Sequence, residues 1–500
     1  MYVKKLRTAY VLFLALMSTV TFQVNAQVGI GTTTPDASAV LDITSSTQGL
    51  LAPRMTTTQR GAIVSPAKGL IVFDTDLDAF FYFDGASWEE IIDGTVSRDN
   101  YKLIKSGDVL ATVLADELAA GSGTTYVLDA NTLYEFNGTI LFDFPIELNN
   151  AYLTGNDVSN DVLVNTTGGA LFTGNTGGSI RSLTAAAGGN SMFNLTMNAT
   201  ATERLVMQSC VFAGPGTVGT ISDATLVFMS IIQFAGFTNG VTFTDIDSLL
   251  LDNLGWLATN SGTMQTFTGT FDLITQSSGF VVVDAGETGF DLSSNPTINE
   301  SASLETVTFS GAGTPVNGYT TGTYPGFSFT TDWTVNCSGI PVERDASASA
   351  NIYYNGNIVT GFNQTVLNSN TTPFNLTGIG GSNTTTAVNM FRTSSATSNR
   401  ITYEGSKRRI FQVNASLSVL GNANSVGKYF AFLIVKNGTT SLVETNTLMR
   451  VNNSSDVNSL AIVGTVEMDP GDFIEIWGQR LTGSGNADQL SIFSLNLSIQ

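Results

Sequence analysis

The 500-residue chain contains no histidine. Ser-His-Asp and Cys-His catalysis are therefore excluded, and the commonest transition-metal ligand is missing. Cysteine occurs twice, as Cys210 and Cys337, too few for a disulfide scaffold or a cysteine zinc cluster. A single bridge is open in an oxidising compartment, but Cys210 stands in the apolar phrase "LVMQSCVF" (205–212) and reads more simply as a small buried hydrophobe. Charge is scarce, at 12% of residues, and its basic share is scarcer still: 21 Lys and Arg against 41 Asp and Glu. Such an acidic body repels phosphate backbones, so nucleic acid is not an expected partner. P-loop, dinucleotide-binding and Cys/His metal spacings are missing, and no cofactor or metal is expected. "GIGTTTP" (29–35) and "GIGG" (378–381) read as turns, because no strand-to-helix context follows them.

The opening "MYVKKLRTAYVLFLALMSTVTFQVNAQ" has a basic start, a short apolar core and a small-residue Val-Asn-Ala site at 24–26. It reads as a secretory signal peptide, residues 1–26, rather than a retained anchor. No later stretch has the ~18 uninterrupted apolar residues of a membrane span, so a soluble protein outside the cytoplasm is expected. The rest combines 50 Gly and only 11 Pro with abundant Thr, Ser and Asn, an all-β composition rich in turns. Residues 27–350 carry 9 basic and 33 acidic side chains, whereas residues 351–500 carry 9 and 8. The chain therefore divides by charge.

An apolar phrase recurs in the middle. "LVMQSCVF" (205–212), "LVFMSIIQF" (226–234) and "LLLDNLGW" (249–256) follow one another at intervals of 21 and 23 residues. Aligned, Leu205, Leu226, Leu249 and Phe271 form one column, Met207, Phe228, Leu251 and Leu273 a second, and Ser209, Ser230, Asn253 and Thr275 a polar third. All the phrases run one way, and Gly, Asn, Thr and Ser fill the gaps. Hairpins would reverse alternate strands. Parallel stacking of whole coils, at roughly 4.8 Å per rung, explains the repeat. About nine coils are expected. "SGDVLATVLADELAAGSG" (106–123) is expected to form a helix over the first coil, and "GYTTGTYPGFSFTTDW" (318–333) to close the last. The pattern resembles the right-handed β-helices of pectate-lyase-like proteins and phage tailspikes.

Both flanks also carry resemblances. "GIGTTTPDASAVLDI" (29–43), "GLLAPRMTTTQRGAI" (49–63) and "GLIVFDTDLDAFFYFDGASW" (69–88) look like an N-terminal module of secreted Bacteroidetes proteins and tail-fibre-like proteins. That resemblance implies an extracellular or appendage role. Asp74, Asp76 and Asp78 alternate like the start of a calcium loop, but the Gly and distal Glu of an EF-hand are missing, and an acidic hairpin tip is expected. "RRIFQVNASLSVL" (408–420), "YFAFLIVKNG" (429–438) and "GTVEMDPGDFIEIWGQR" (464–480) alternate with period two. They resemble the jelly-roll heads of the C1q and tumour-necrosis-factor-like superfamily. This resemblance implies a homotrimer, with Tyr429, Phe432 and Trp477 as interface candidates against the alternative of core packing.

The expected fold is thus all-β: a right-handed parallel β-helix, then a jelly roll, with a small N-terminal β module. Expected boundaries are 27–95 for the attachment module, 96–126 for a linker and capping helix, 127–340 for the β-helix, 341–359 for a linker and 360–500 for the head. Between 127 and 339 only Arg181 and Arg204 are basic, against 18 Asp and Glu. A lyase acting on polyanions is therefore improbable. A glycoside hydrolase needs two carboxyls roughly 5–9.5 Å apart. "FTDIDSLLLDNLGW" (243–256) offers Asp245, Asp247 and Asp252, with Trp256 to stack a sugar, and Asp272, Asp284 and Glu287 follow. Solvated turn carboxylates are the plainer reading. Lys407, Arg408 and Arg409 are candidates for touching an anionic glycan, or else a solvated loop. The functional expectation is a fibre-like protein for surface attachment or display that binds extracellular polysaccharide, with a β-helix hydrolase as the alternative.

Overall fold

The structure, a computed structural model, describes residues 9–11, 13–14, 27–91, 100–198, 202–365 and 370–500. The expected signal peptide lies outside the described residues apart from a few helical positions. No described helix is long and apolar enough to cross a membrane. The chain forms two compact units, Met1–Ser97 and Arg98–Gln500.

The first unit is built from very short strands. Val28–Ile30 pairs in parallel with Leu41–Ile43. A second sheet runs in the order Arg54–Met55, Ile71–Asp74, Ala79–Phe83, Trp88–Glu90. One helical turn, Thr57–Gly61, starts from a capping box: Thr56 Oγ1 accepts from Gln59 N, and Gln59 Oε1 accepts from Thr56 N. Ile71–Asp74 and Ala79–Phe83 make the hairpin expected around the acidic turn, with Asp78 at φ 54°. Asp74 is not free to bind a cation. Its Oδ2 accepts from Arg60 Nε at 2.8 Å, and its Oδ1 accepts from the Asp76 and Leu77 amides. Burial works against the Asp74 carboxylate, but Arg60 and these amides outweigh it and hold the group below the usual carboxylate range. Arg60 in turn lies 3.8 Å over the Phe81 ring.

The second unit opens with a parallel β-solenoid, so the fold class inferred from the repeat holds. One inward column reads Leu205, Val227, Leu249, Ile274, Ala302, Trp333, and the column two residues on reads Met207, Met229, Leu251, Gln276, Leu304, Val335. A third, on the next face, reads Ile140, Leu163, Ala185, Phe212, Phe234, Trp256, Val281, Phe309. All of these are buried. Each fully buried Leu, Ile or Met contributes about 1.5–3 kcal/mol. "LLL" at 249–251 now makes sense: Leu249 and Leu251 point in, while Leu250 lies half-buried on the outside beside Phe228.

In the two apolar columns the alignment by sequence was right at Leu205, Leu249, Met207 and Leu251 and wrong at the other positions. Val227 and Ile274, not Leu226 and Phe271, occupy the first column, and Phe228 and Leu273 face outward. The repeat is not constant. It is 22 residues from Leu205 to Val227, 25 from Leu249 to Ile274, 28 from Ile274 to Ala302 and 31 from Ala302 to Trp333, and the ladder slips at Thr244/Ile246, Phe271/Leu273 and Glu305/Thr308. A one-residue slip exchanges the inner and outer faces. The chain leaves the first sheet through a left-handed residue on successive rungs: Ser209, Ile231, Asn253, Ser278 and Thr306, with φ between 51° and 59°. Ser209 and Asn253 of the expected polar column stand at this corner. Ser230 and Thr275 do not.

Helices Leu110–Val113 and Ala115–Ala120 pack Leu110 and Leu114 into the solenoid core at its N-terminal end. Glu117 is buried there and accepts from Lys102 and Tyr134. At the other end Tyr319 and Phe329 join the core, and Trp333 Nε1 donates to Tyr319 Oη at 3.0 Å.

Two antiparallel sheets follow. One runs Thr385–Phe391, Ser349–Tyr354, Gln489–Ile499, Arg409–Gly421, Asn458–Met468, and the other Thr393–Ser394, Arg400–Tyr403, Phe473–Arg480, Tyr429–Lys436, Thr440–Arg450. Their inner faces share one core, including Phe411, Leu417, Phe430, Phe432, Ile434 and Ile476. The chain crosses repeatedly from one sheet to the other, as in a jelly roll. The segment 341–359, expected as a linker, instead contributes a strand, Ser349–Tyr354, and a buried junction. Arg392, almost fully buried, donates to Asp345 and to the backbone oxygens of Trp333 and Glu343. Glu343 accepts from the Ser328 and Phe329 amides, and Phe327 stacks on Phe391 with centroids 4.0 Å apart.

Two predictions follow from this packing. The Gln276 side chain sits between Leu251 and Leu304 with neither amide atom bonded among the described residues. A buried unpaired amide costs about 1–3 kcal/mol, so Gln276→Leu should raise stability by that order, read as a higher denaturant midpoint. Conversely, Arg392→Ala leaves a carboxylate and two carbonyls unanswered and should cost roughly 3–5 kcal/mol. Asp345 is also a source of pH dependence. Burial raises it, but Arg392 and Ser406 hold it below its ordinary 3.8. Its contribution is present above 3.8 and is lost as pH falls through the depressed value. The stability gap between the parent and Arg392→Ala should therefore narrow as pH falls from neutrality through that depressed value, as read from denaturant midpoints at several pH values.

Candidate functional site

The solenoid carboxylates singled out by sequence occupy different roles. Asp245 lies at a left-handed position (φ 51°), and its Oδ1 accepts from Thr270 N at 2.8 Å. Asp252 belongs to an outer polar ladder. Ser230 Oγ donates to one of its oxygens at 3.2 Å and Ser277 Oγ to the other at 3.1 Å. Those bonds tie three successive rungs together and make Asp252 a bracing residue. Asp247 is exposed on the same strand face as Asp245. The register that pairs Ile246 with Phe271 and Ser248 with Leu273 sets Asp247 beside Asp272 on the next rung. Asp272 Oδ1 accepts from Asn299 at 2.7 Å. Glu287 Oε2 accepts from Asp284 N and closes a turn.

Trp256 cannot stack a sugar. It is 0% exposed, inside the solenoid between Phe234 and Val281. The sequence pattern could not separate an inward from an outward tryptophan where neighbouring Leu254 and Gly255 are also buried. Phe432 is likewise lost as an interface residue, because it lies in the core between the two jelly-roll sheets. Tyr429 is exposed at the end of its strand, 5.7 Å from Arg450, and Trp477 is half-buried with Nε1 donating to Glu475. The two arginines of the basic run are spent internally, and Lys407 is exposed. Arg408 pairs with Glu467 and Asp469, Arg409 donates to the Asp345 and Ala348 carbonyls, and the Lys407 amide bonds Asp345.

Both cysteines are free and buried. Cys210 faces inward, and burial pushes its thiol up to about 11. Cys337, near the end of the solenoid, is raised for the same reason.

The largest unexplained feature is the apolar surface of the N-terminal unit. Among its described large hydrophobic side chains only Val72 and Phe81 are buried. Val40 is 77% exposed, Leu51 75% and Val64 89%, and Val28, Ile30, Leu41, Leu50, Ile71, Leu77, Phe80 and Ile91 are also exposed. Strands of only a few residues, separated by Gly and Pro turns, cannot wrap a core around so many apolar groups in one copy. A concentration of this kind marks an interaction surface. Sequence reading registered the strands but not the surface, because alternation shows which residues share a side and not whether anything covers it.

Residues 29–102 match the family described as "phage tail like trimerisation region". The match spans the N-terminal unit and reaches the first solenoid strand, Tyr101–Lys105. No curated protein matches the chain. Among solved structures, the enzymatically active domain of bacteriophage CBA120 tailspike protein 4 aligns over 90% of this chain and 77% of its own, at 11% identity and a TM-score of 0.26.

Proposed function

We propose that the chain is a fibre-like attachment protein, outside the cell or on a virion, that assembles as a homotrimer through its N-terminal unit. The solenoid then serves as the shaft and glycan-contacting surface, and the jelly roll as a terminal head. The observation that carries this reading is the set of apolar side chains exposed on the N-terminal unit, within the stretch that matches a trimerisation region. Burying each against partner copies is worth about 1.5–3 kcal/mol for a fully covered Leu or Ile. Isologous or cyclic association is the usual means of covering such a face. The signal-peptide reading of residues 1–26 supports secretion, and the trimerisation match supports a virion appendage. Both support a location outside the cytoplasm.

Light scattering on the purified protein should give about three times the single-chain mass. Leu50→Ser with Leu51→Ser should shift that mass toward one chain while leaving the solenoid's circular dichroism intact. A monomeric parent protein overturns the proposal.

One observation favours a second reading, a β-helix glycoside hydrolase. Asp247 and Asp272 stand on neighbouring rungs, roughly 4.8 Å apart at the backbone, which suits the 5–5.5 Å carboxyl separation of retaining enzymes. On the attachment reading, extracellular polysaccharides are retained without release of reducing ends. Release that disappears in Asp247→Asn would establish the hydrolase instead.

A further inference from the structure

Arg181 and Arg204 are the only basic residues between 127 and 339, and the fold brings both to one cleft. The cleft, of about 440 Å³, is lined by Asn131, Asn150, Tyr152, Ser179, Arg181 and Arg204, among others. The register explains the meeting. Tyr152 pairs with Ser179, and Ser179 with Val206. Arg181 lies two residues beyond Ser179 on one side, and Arg204 two residues before Val206 on the other. The exposed Tyr152 ring thus lines the same cleft as two cations from the next two coils.

The cations are available. Neither guanidinium pairs with a carboxylate among the described residues, although acidic groups dominate the solenoid. Arg181 Nε donates to Ser179 Oγ at 3.0 Å, which orients the guanidinium along the rung. Two carboxylates nearby in sequence or register are engaged elsewhere. Glu203 is buried, its Oε2 accepting from Gly177 N at 2.7 Å. Glu135, in the same column as Arg181 two rungs away, accepts from the Tyr101 hydroxyl. The floor is built close. A Cβ on Gly177 would come within 2.0 Å of the Arg204 carbonyl oxygen, so only glycine lets the coils stack there.

We propose that this cleft binds an acidic sugar, its ring on the Tyr152 face and its carboxylate held by Arg181 and Arg204. This rests on the attachment reading and specifies its ligand class. The guanidinium fork matches a carboxylate, and Asn131 and Asn150 offer amides to hydroxyls. A glycan with isolated acidic units fits better than a polyanion. Two cations answer one carboxylate, while the surrounding acidic surface repels a dense run of negative charge.

The test is calorimetric titration of the full chain with two trisaccharides. One carries a single glucuronate flanked by neutral sugars, and the other is its carboxyl-reduced counterpart. The acidic form should bind at least about tenfold more tightly. Arg181→Gln and Arg204→Gln should each remove that preference, and Tyr152→Ala should weaken both forms. All three side chains face outward, so unfolding midpoints should be unchanged. Equal binding of the two trisaccharides by the parent overturns the proposal but leaves glycan attachment standing. The same holds if the acidic preference survives in the Arg181→Gln/Arg204→Gln double variant. Failure of both trisaccharides to bind overturns the cleft, and scattering mass then decides the trimeric fibre separately.

Discussion

The structure depends on in-register parallel stacking of inward side chains. Leu205 over Val227 over Leu249 over Ile274 is a hydrophobic column in which each residue is covered above and below by its own structural equivalent. Backbone hydrogen bonds between rungs fix the spacing, and close packing inside makes the register costly to change. Every outward residue is placed by this constraint. Asp252 meets Ser230 and Ser277, and Asp247 meets Asp272, because Met229, Leu251 and their neighbours are locked beneath them.

The two ends of the column are solved in different ways. At the start, short helices cover the open rung, and a buried Glu117 is answered by Lys102 and Tyr134. At the finish, the solenoid passes into the jelly roll through Arg392, which binds the last rung at the Trp333 carbonyl and the head's approach segment at Asp345. A guanidinium suits this position because its planar fork serves several oxygens at once and it stays charged when buried. The head is therefore seated on the last coil instead of tethered to it.

The N-terminal unit reverses the logic. The solenoid hides its hydrophobic residues by repetition along one chain, whereas the short strands of residues 27–91 leave theirs in water. Only a small centre persists, with Arg60 between Asp74 and the Phe81 ring. Charge follows the same division. The acidic solenoid leaves two arginines unpaired and brings them together, whereas in the jelly roll Arg408 and Arg409 are consumed in internal contacts.

The sequence by itself determined the class of structure. Apolar phrases of one polarity, recurring at about one coil's length, with turn residues between them, are compatible with a parallel solenoid and with little else. Period-two alternation after residue 360 likewise marked half-buried strands. What only the tertiary structure decided was the register, and with it every site. The register left Leu226 and Phe271 out of the column, turned Trp256 inward and Phe228 outward, and brought Tyr152, Arg181 and Arg204 to one cleft. Periodicity specifies which residues alternate. Which rung lies on which is set by packing between residues a whole coil apart, and no local pattern in the chain encodes that distance.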